Sequence, residues 1–155
     1  MHSRIFIVSP WDKIPSYIDL SPNEIEFSDP IDYIAESSFE CDIDWLKQAY
    51  HLHLKKLDCN GSVIYEINSK ELRDTMNSEA ISAINSAESY IKKFREDKKD
   101  FLDLWIASDC LWPRTGFLFY VDGRLNNLFD LTLILKDSKK LYIIGSFDYR
   151  DKEVK

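Results

Sequence analysis

Three groups of residues have the types and spacing that chemistry needs: two histidines, three cysteines and two close pairs of carboxylates. His51 and His53 stand two apart. On a helix that spacing turns the rings about 200° away from one another, so they share no ion. The flanking pattern is helical, and His53 falls on its apolar stripe, where a packed histidine is expected. Cys41, Cys59 and Cys110 show no C-x-x-C spacing, so zinc and dithiol chemistry lack support. Cys110 beside Asp109 acts as a nucleophile only if a histidine folds close by; a buried free thiol is the expected state. Glu24-x-Glu26 and Asp42-x-Asp44 are carboxylate pairs, but a calcium loop also wants a glycine at its tight turn, and none precedes Gly61. A paired-carboxylate hydrolase would need its two groups held a set distance apart in a cleft. P-loop, G-x-G-x-x-G and G-x-S-x-G patterns are all missing from the sequence. The expectation is a chain with no cofactor, no metal and no catalytic residue, hence not an enzyme. The alternative is a small-molecule binder or enzyme whose site is assembled from distant segments.

Charge is distributed unevenly. The 155 residues carry 20 Lys and Arg against 27 Asp and Glu, a formal net charge of −7. Residues 1–60 hold five basic and eleven acidic residues, 61–100 seven and eight, and 101–155 eight and eight. Between 19 and 44 there are nine acids and no Lys or Arg, with Phe27, Tyr33 and Phe39 interleaved and Trp45 just beyond. A surface of one sign repels polyanions, which disfavours nucleic acid and anionic membranes as direct partners. Three readings stay open: a solvated loop that aids solubility, a docking face for a basic protein, and a site for a small cation. Aromatics among acids suit docking, since buried rings supply affinity while charges supply rate and selectivity. The docking candidates are Glu24, Glu26, Asp29, Asp32, Tyr33, Glu36, Glu40, Asp42, Asp44 and Trp45.

Residues 5–8 form a short apolar strand, and the proline-rich stretch 11–30 is irregular, with at most a short strand at 24–27. Asp42 looks like an N-cap. Leu46, Ala49, Tyr50, His53, Leu54 and Leu57 then recur at helical spacing, ended by Asn60-Gly61. Residues 62–67 suggest a strand. Asn68 and Glu71 resemble a capping box, and a helix is expected over 78–96. A dense apolar helix over 100–108 should place Trp105 in the core, while Trp11, Trp45 and Trp112 are candidates for partly exposed anchors. Residues 117–121 read as a strand buried on both faces, and Asp122-Gly123 as a hairpin turn. Residues 131–135 and 141–144 add two strands, Gly145 marks a bulge or close approach, and Phe147 and Tyr149 alternate with polar residues as an edge strand would. The sum is an α+β fold in one domain, 1–155. It has an antiparallel sheet from the C-terminal third, joined by 5–8, with helices near 43–57, 78–96 and 100–108 on one face.

A composition of 45% hydrophobic residues with 14% aromatics excludes a disordered chain. Apolar runs stay far below the ~20 residues a membrane helix needs, and the four apolar residues at 5–8 fall short of a signal-peptide core. An odd cysteine count without clustering fits reduced thiols, so the expected location is the cytoplasm. In size, acidity and lack of catalytic motifs the chain resembles the bacterial immunity proteins that neutralise cytotoxic nucleases. That resemblance implies a basic cognate toxin as partner, occlusion of its active site as mechanism, and no direct contact with nucleic acid or membrane. It carries over no residue roles and no oligomeric state.

Overall fold

A computed structural model describes residues 2–9, 21–28, 31–59, 61–96, 101–112, 116–135 and 140–151. The architecture is α+β. Among the described residues seven strands form one mixed, mostly antiparallel sheet: β1 (His2–Ser9), β2 (Ile31–Glu36), β3 (Lys55–Cys59), β4 (Ser62–Asn68), β5 (Leu118–Val121), β6 (Arg124–Asn126) and β7 (Lys140–Asp151). Four α-helices among the described residues accompany it: α1 (Phe39–Tyr50), α2 (Ser69–Glu96), α3 (Phe101–Leu111) and α4 (Leu128–Leu135). The order across the sheet is β3-β4-β7-β1-β5-β6, with β2 also paired to β7. The expected strand at 5–8 is therefore the middle of β1. It lies between antiparallel β7 and parallel β5, and cover on both faces explains its unbroken apolar run.

β7 organises the sheet. One edge pairs with β1 along its length; the other pairs with β4 over 140–143 and with β2 over 147–151. Opposite β1 the register slips by one, Ile7 meeting Gly145 and Val8 meeting Ile143. Ile144 is the extra residue of a β-bulge, as Gly145 suggested. The slip changes which residues face the helices. Before it, Leu141 and Ile143 join Phe6, Val8, Ile43, Leu46, Leu72, Met76, Leu128 and Leu131 in the core under α1, α2 and α4. After it, Phe147 and Tyr149 face the opposite side with Ile5, Ile7, Ile25, Ile31 and Leu118. Ser146 and Asp148 are left on the helix side, beside Arg4.

Several boundaries differ from the sequence expectation. Helix α1 starts at Phe39 because Ser38, not Asp42, is its N-cap, its side chain accepting from the Cys41 amide at 3.5 Å. It stops at His51, which takes a left-handed conformation (φ 54°), one that histidine adopts more readily than most residues. Residues 55–59 are strand, and Gly61 (φ 86°) sits in the β3–β4 turn, its amide donating to Asp58. The helix expected over 78–96 begins at Ser69 and runs 28 residues, passing through Asn77-Ser78 without a break; that is about 42 Å of helix. Asn68 caps it by accepting from the Lys70 amide, while Glu71 reaches back to His53 instead of closing a box. Residues 131–135 lie in α4, not in a strand. Asn127 accepts from the Asp130 amide at 2.8 Å to start that helix, and a short apolar run alone does not separate the two states. At 24–27 the chain makes a 3-10 turn (Pro22–Glu24) and irregular backbone. The hairpin at Asp122-Gly123 is as read: both residues have positive φ (49° and 82°) between β5 and β6, the pairing a type I′ turn requires. No helix among the described residues is long and apolar enough to cross a membrane.

Candidate protein-docking face

The acidic stretch divides into an internal part and an outward part. Asp42 belongs to the first. It is 2% exposed. Its Oδ1 accepts from Arg4 Nε at 2.5 Å, and its Oδ2 accepts from Ser37 Oγ at 2.5 Å and Ser146 Oγ at 2.6 Å. Arg4 extends the network, donating through a terminal nitrogen to Asp148 Oδ1 at 2.5 Å and to the Ser3 carbonyl at 3.0 Å. His2 Nδ1 lies 3.3 Å from the other Asp148 oxygen. One guanidinium thus bridges two carboxylates from α1 and β7. The arrangement exists because the β7 bulge brings Ser146 and Asp148 to the helix side. Asp42 was a docking candidate; as a buried, fully engaged carboxylate it fastens α1 to the sheet and offers a partner nothing.

Three other candidates have partners within the chain, though Asp32 and Glu24 remain exposed. Asp32 is the extra residue where β2 slips against β7, and its carboxylate accepts from Arg150 at 2.7 Å. The same guanidinium lies 4.6 Å from the centre of the Tyr33 ring, within cation–π range. Glu24 takes the Ser21 amide at 3.3 Å and so closes the capping box of the 3-10 turn. Asp29 lies outside the described residues. Glu26, Glu36, Glu40 and Asp44 are exposed. Glu36 ends β2 two residues ahead of α1, and Glu40 and Asp44 lie one turn apart on α1 and so face the same way. Trp45 completes it. Its ring is 41% exposed, rests edge-on against Phe117 at 4.9 Å and sits 5.2 Å from the Arg4 guanidinium. One side of the indole is held by the protein while the other faces water.

The remaining chemistry-bearing residues disperse. His51 is a helix end, and His53 is an exposed ring 3.0 Å from Glu71, not a packed one. Among the described residues no three His, Cys, Asp or Glu side chains converge as a metal site would require. Cys41 is exposed, Cys59 and Cys110 half-buried. Two tyrosines are held neutral. Burial, reinforced by the charge of Glu79, pushes Tyr50 up to about 12. Burial does the same to Tyr149, with a hydrogen bond to Ser3 opposing it and the charge of Asp151 adding to it; its hydroxyl donates to the Gly116 carbonyl. Sequence reasoning missed Arg4, Ser37 and Ser146 as the partners of Asp42. The signal that could have found them is Arg4 itself, a fixed charge in a strand otherwise buried on both faces. It also placed Trp105 in the core, whereas that ring is largely exposed; Trp45 and Trp112 are partly exposed, and Trp11 lies outside the described residues. No protein family, curated protein or solved structure matches the chain.

Proposed function

We propose that this chain is a protein-binding module that docks a basic protein through Glu36, Glu40, Asp44 and Trp45, with Glu26 a further acidic contributor. The specific form of the proposal is an immunity protein acting in the cytoplasm. It would cover the basic active-site groove of a nuclease-like toxin and so inhibit it. One observation carries the reading: three exposed carboxylates, at the end of β2 and on the first turns of α1, precede a half-exposed, half-anchored indole on the same helix. Such a ring is preorganised, so little side-chain entropy is lost when a partner covers it. The carboxylates would steer a cationic surface onto it and reject anionic ones. Arg4 lies beneath, already neutralised by Asp42 and Asp148, and does not cancel the outward charge.

The test is affinity capture with the whole chain and with a Glu36→Lys/Glu40→Lys/Asp44→Lys variant, washed at low and then moderate salt. A basic protein held by the wild type, lost by the variant and partly released by salt supports the reading; inhibition of that protein's nuclease activity supports its specific form. Equal capture by both chains, or no basic protein held by the wild type, contradicts it.

A further inference from the structure

Helix α3 carries its aromatic residues on the wrong side for a core. Phe101 is 77% exposed, Trp105 70% and Trp112, one residue past the helix, 57%. Spacings of four and seven put all three within about 40° of one line along the helix, with Ser108 between the tryptophans. The opposite side, including buried Ala107, packs toward α2. Each end of the stripe is steadied by one neighbour: Phe101 by Phe94 at 5.8 Å and Trp112 by Phe129 at 6.2 Å between ring centres. The three rings leave on the order of 450 Å² of apolar surface in water, as much as the largest patch on an ordinary monomer, and such patches mark interaction sites.

We infer that this stripe is the interface between two copies of the chain, packed α3 against α3 in antiparallel fashion. A two-fold interface must be self-complementary, each residue meeting a defined partner that meets it in return. The stripe satisfies this with one axis, placed between residues 106 and 107. That axis sets Phe101 opposite Trp112 of the second copy and Trp105 opposite Ser108. The serine is the needed gap. Trp105, Ser108, Asp109 and Trp112 line a cleft of about 220 Å³, and a cavity of about 150 Å³ already holds benzene. The cleft therefore takes an indole, with Asp109 and Ser108 as acceptors for its N–H, which seeks a partner once buried. Charge agrees. Helix α3 carries two acids, Asp103 and Asp109, and no Lys or Arg, against nine acids in residues 19–44, so the repulsion between two copies here is far smaller than the acidic stretch would impose. The area agrees too: two stripes with their polar margins approach the roughly 1,200 Å² at which specific interfaces begin.

The experiment is sedimentation velocity on the full chain from low to high micromolar concentration, beside Trp105→Ala, Ser108→Trp and the control Val63→Ser, an exposed residue of β4. The expected result is a wild type and control that shift from single to double mass as concentration rises. Trp105→Ala should raise the dissociation constant at least about thirty-fold, because a central aromatic anchor is lost and is lost twice in a two-fold interface. Ser108→Trp, which fills the cleft, should do the same without touching a contact ring. At concentrations where the wild type is at single mass, both variants keep its melting temperature, since the substituted positions are exposed. A wild type that stays at single mass across the range, or variants that dimerise as well as it does, overturns the inference. This interface is separate from the acidic face, and the charge-reversed variant of that face should dimerise normally.

Discussion

Replacing Asp42 with Ala removes the one carboxylate that joins α1 to β1, β2's end and β7 together. Three donors lose their acceptor: Arg4 Nε, Ser37 Oγ and Ser146 Oγ. Arg4 keeps Asp148 and the Ser3 carbonyl, so its charge is not wholly orphaned, but the face it turned to Asp42 is now against a void. Breaking a buried ion pair from one side costs about 3–5 kcal/mol, a large part of the roughly 5–15 kcal/mol that holds a domain folded. For a chain of this length that corresponds to a melting temperature lower by about 6–20 °C. Urea unfolding measures it, with the slope unchanged if only the native state is affected. The double change Arg4→Ala/Asp42→Ala should be less destabilising than the sum of the two single ones, since neither leaves the other's charge stranded. Asp44→Lys, on the exposed side of the same helix, should stay within about 0.5 kcal/mol of wild type. A stable Asp42→Ala chain would refute the claim that this carboxylate is an internal fastener, and would return it to the docking face.

The neighbouring predictions are smaller. Tyr50 and Tyr149 bind their protons more tightly in the folded than in the unfolded chain, whose tyrosines ionise near 10. Their contribution is therefore complete below pH 10 and is lost as pH rises toward 12, by about 1.4 kcal/mol each at about pH 11, measurable by urea unfolding against tyrosinate absorbance. Tyr149→Phe should remove its own share of that pH dependence while lowering stability at neutral pH through the bond lost to Gly116. Gly123→Ala places a side chain at φ 82° with no atom within 4 Å of it, so its cost is conformational only, about 1 kcal/mol; Gly123→Asn should cost less. Ser38→Ala removes the α1 cap and should cost about 1 kcal/mol in thermal unfolding.

The fold class was legible because apolar runs and turn residues speak plainly: β1, β4, the β5–β6 hairpin and the C-terminal half of α2 lie where patterning puts them. The errors share a cause. Residues 46–57 keep a helical spacing of apolar groups, yet the helix ends at Tyr50, because Leu52 is buried from a loop and Leu57 is half-buried from a strand. Apolar spacing records what is buried, not the backbone that buries it. Residues 131–135 are apolar apart from Thr132, too short a run for a period to distinguish helix from strand, and the Asn127 cap starts the helix. Trp105 illustrates the limit for sites. Helix α3 is apolar around most of its circumference, and the sequence does not say which side finds a neighbour. The acidic stretch could be counted but not sorted, since Asp42 and Asp44 differ only in which way the helix turns them. That turn depends on a cap at Ser38 and a bulge at Ile144 more than a hundred residues later.

The most direct test of the docking account is the association rate of the captured basic protein with the wild-type chain and with the Glu36→Lys/Glu40→Lys/Asp44→Lys variant, followed by stopped flow across a range of ionic strength. The account predicts a wild-type rate that is fast at low salt and falls steeply as salt rises, and a variant at least about ten-fold slower at low salt with a shallow slope. Matching rates and slopes for the two chains would place the interface elsewhere on the molecule and contradict the account.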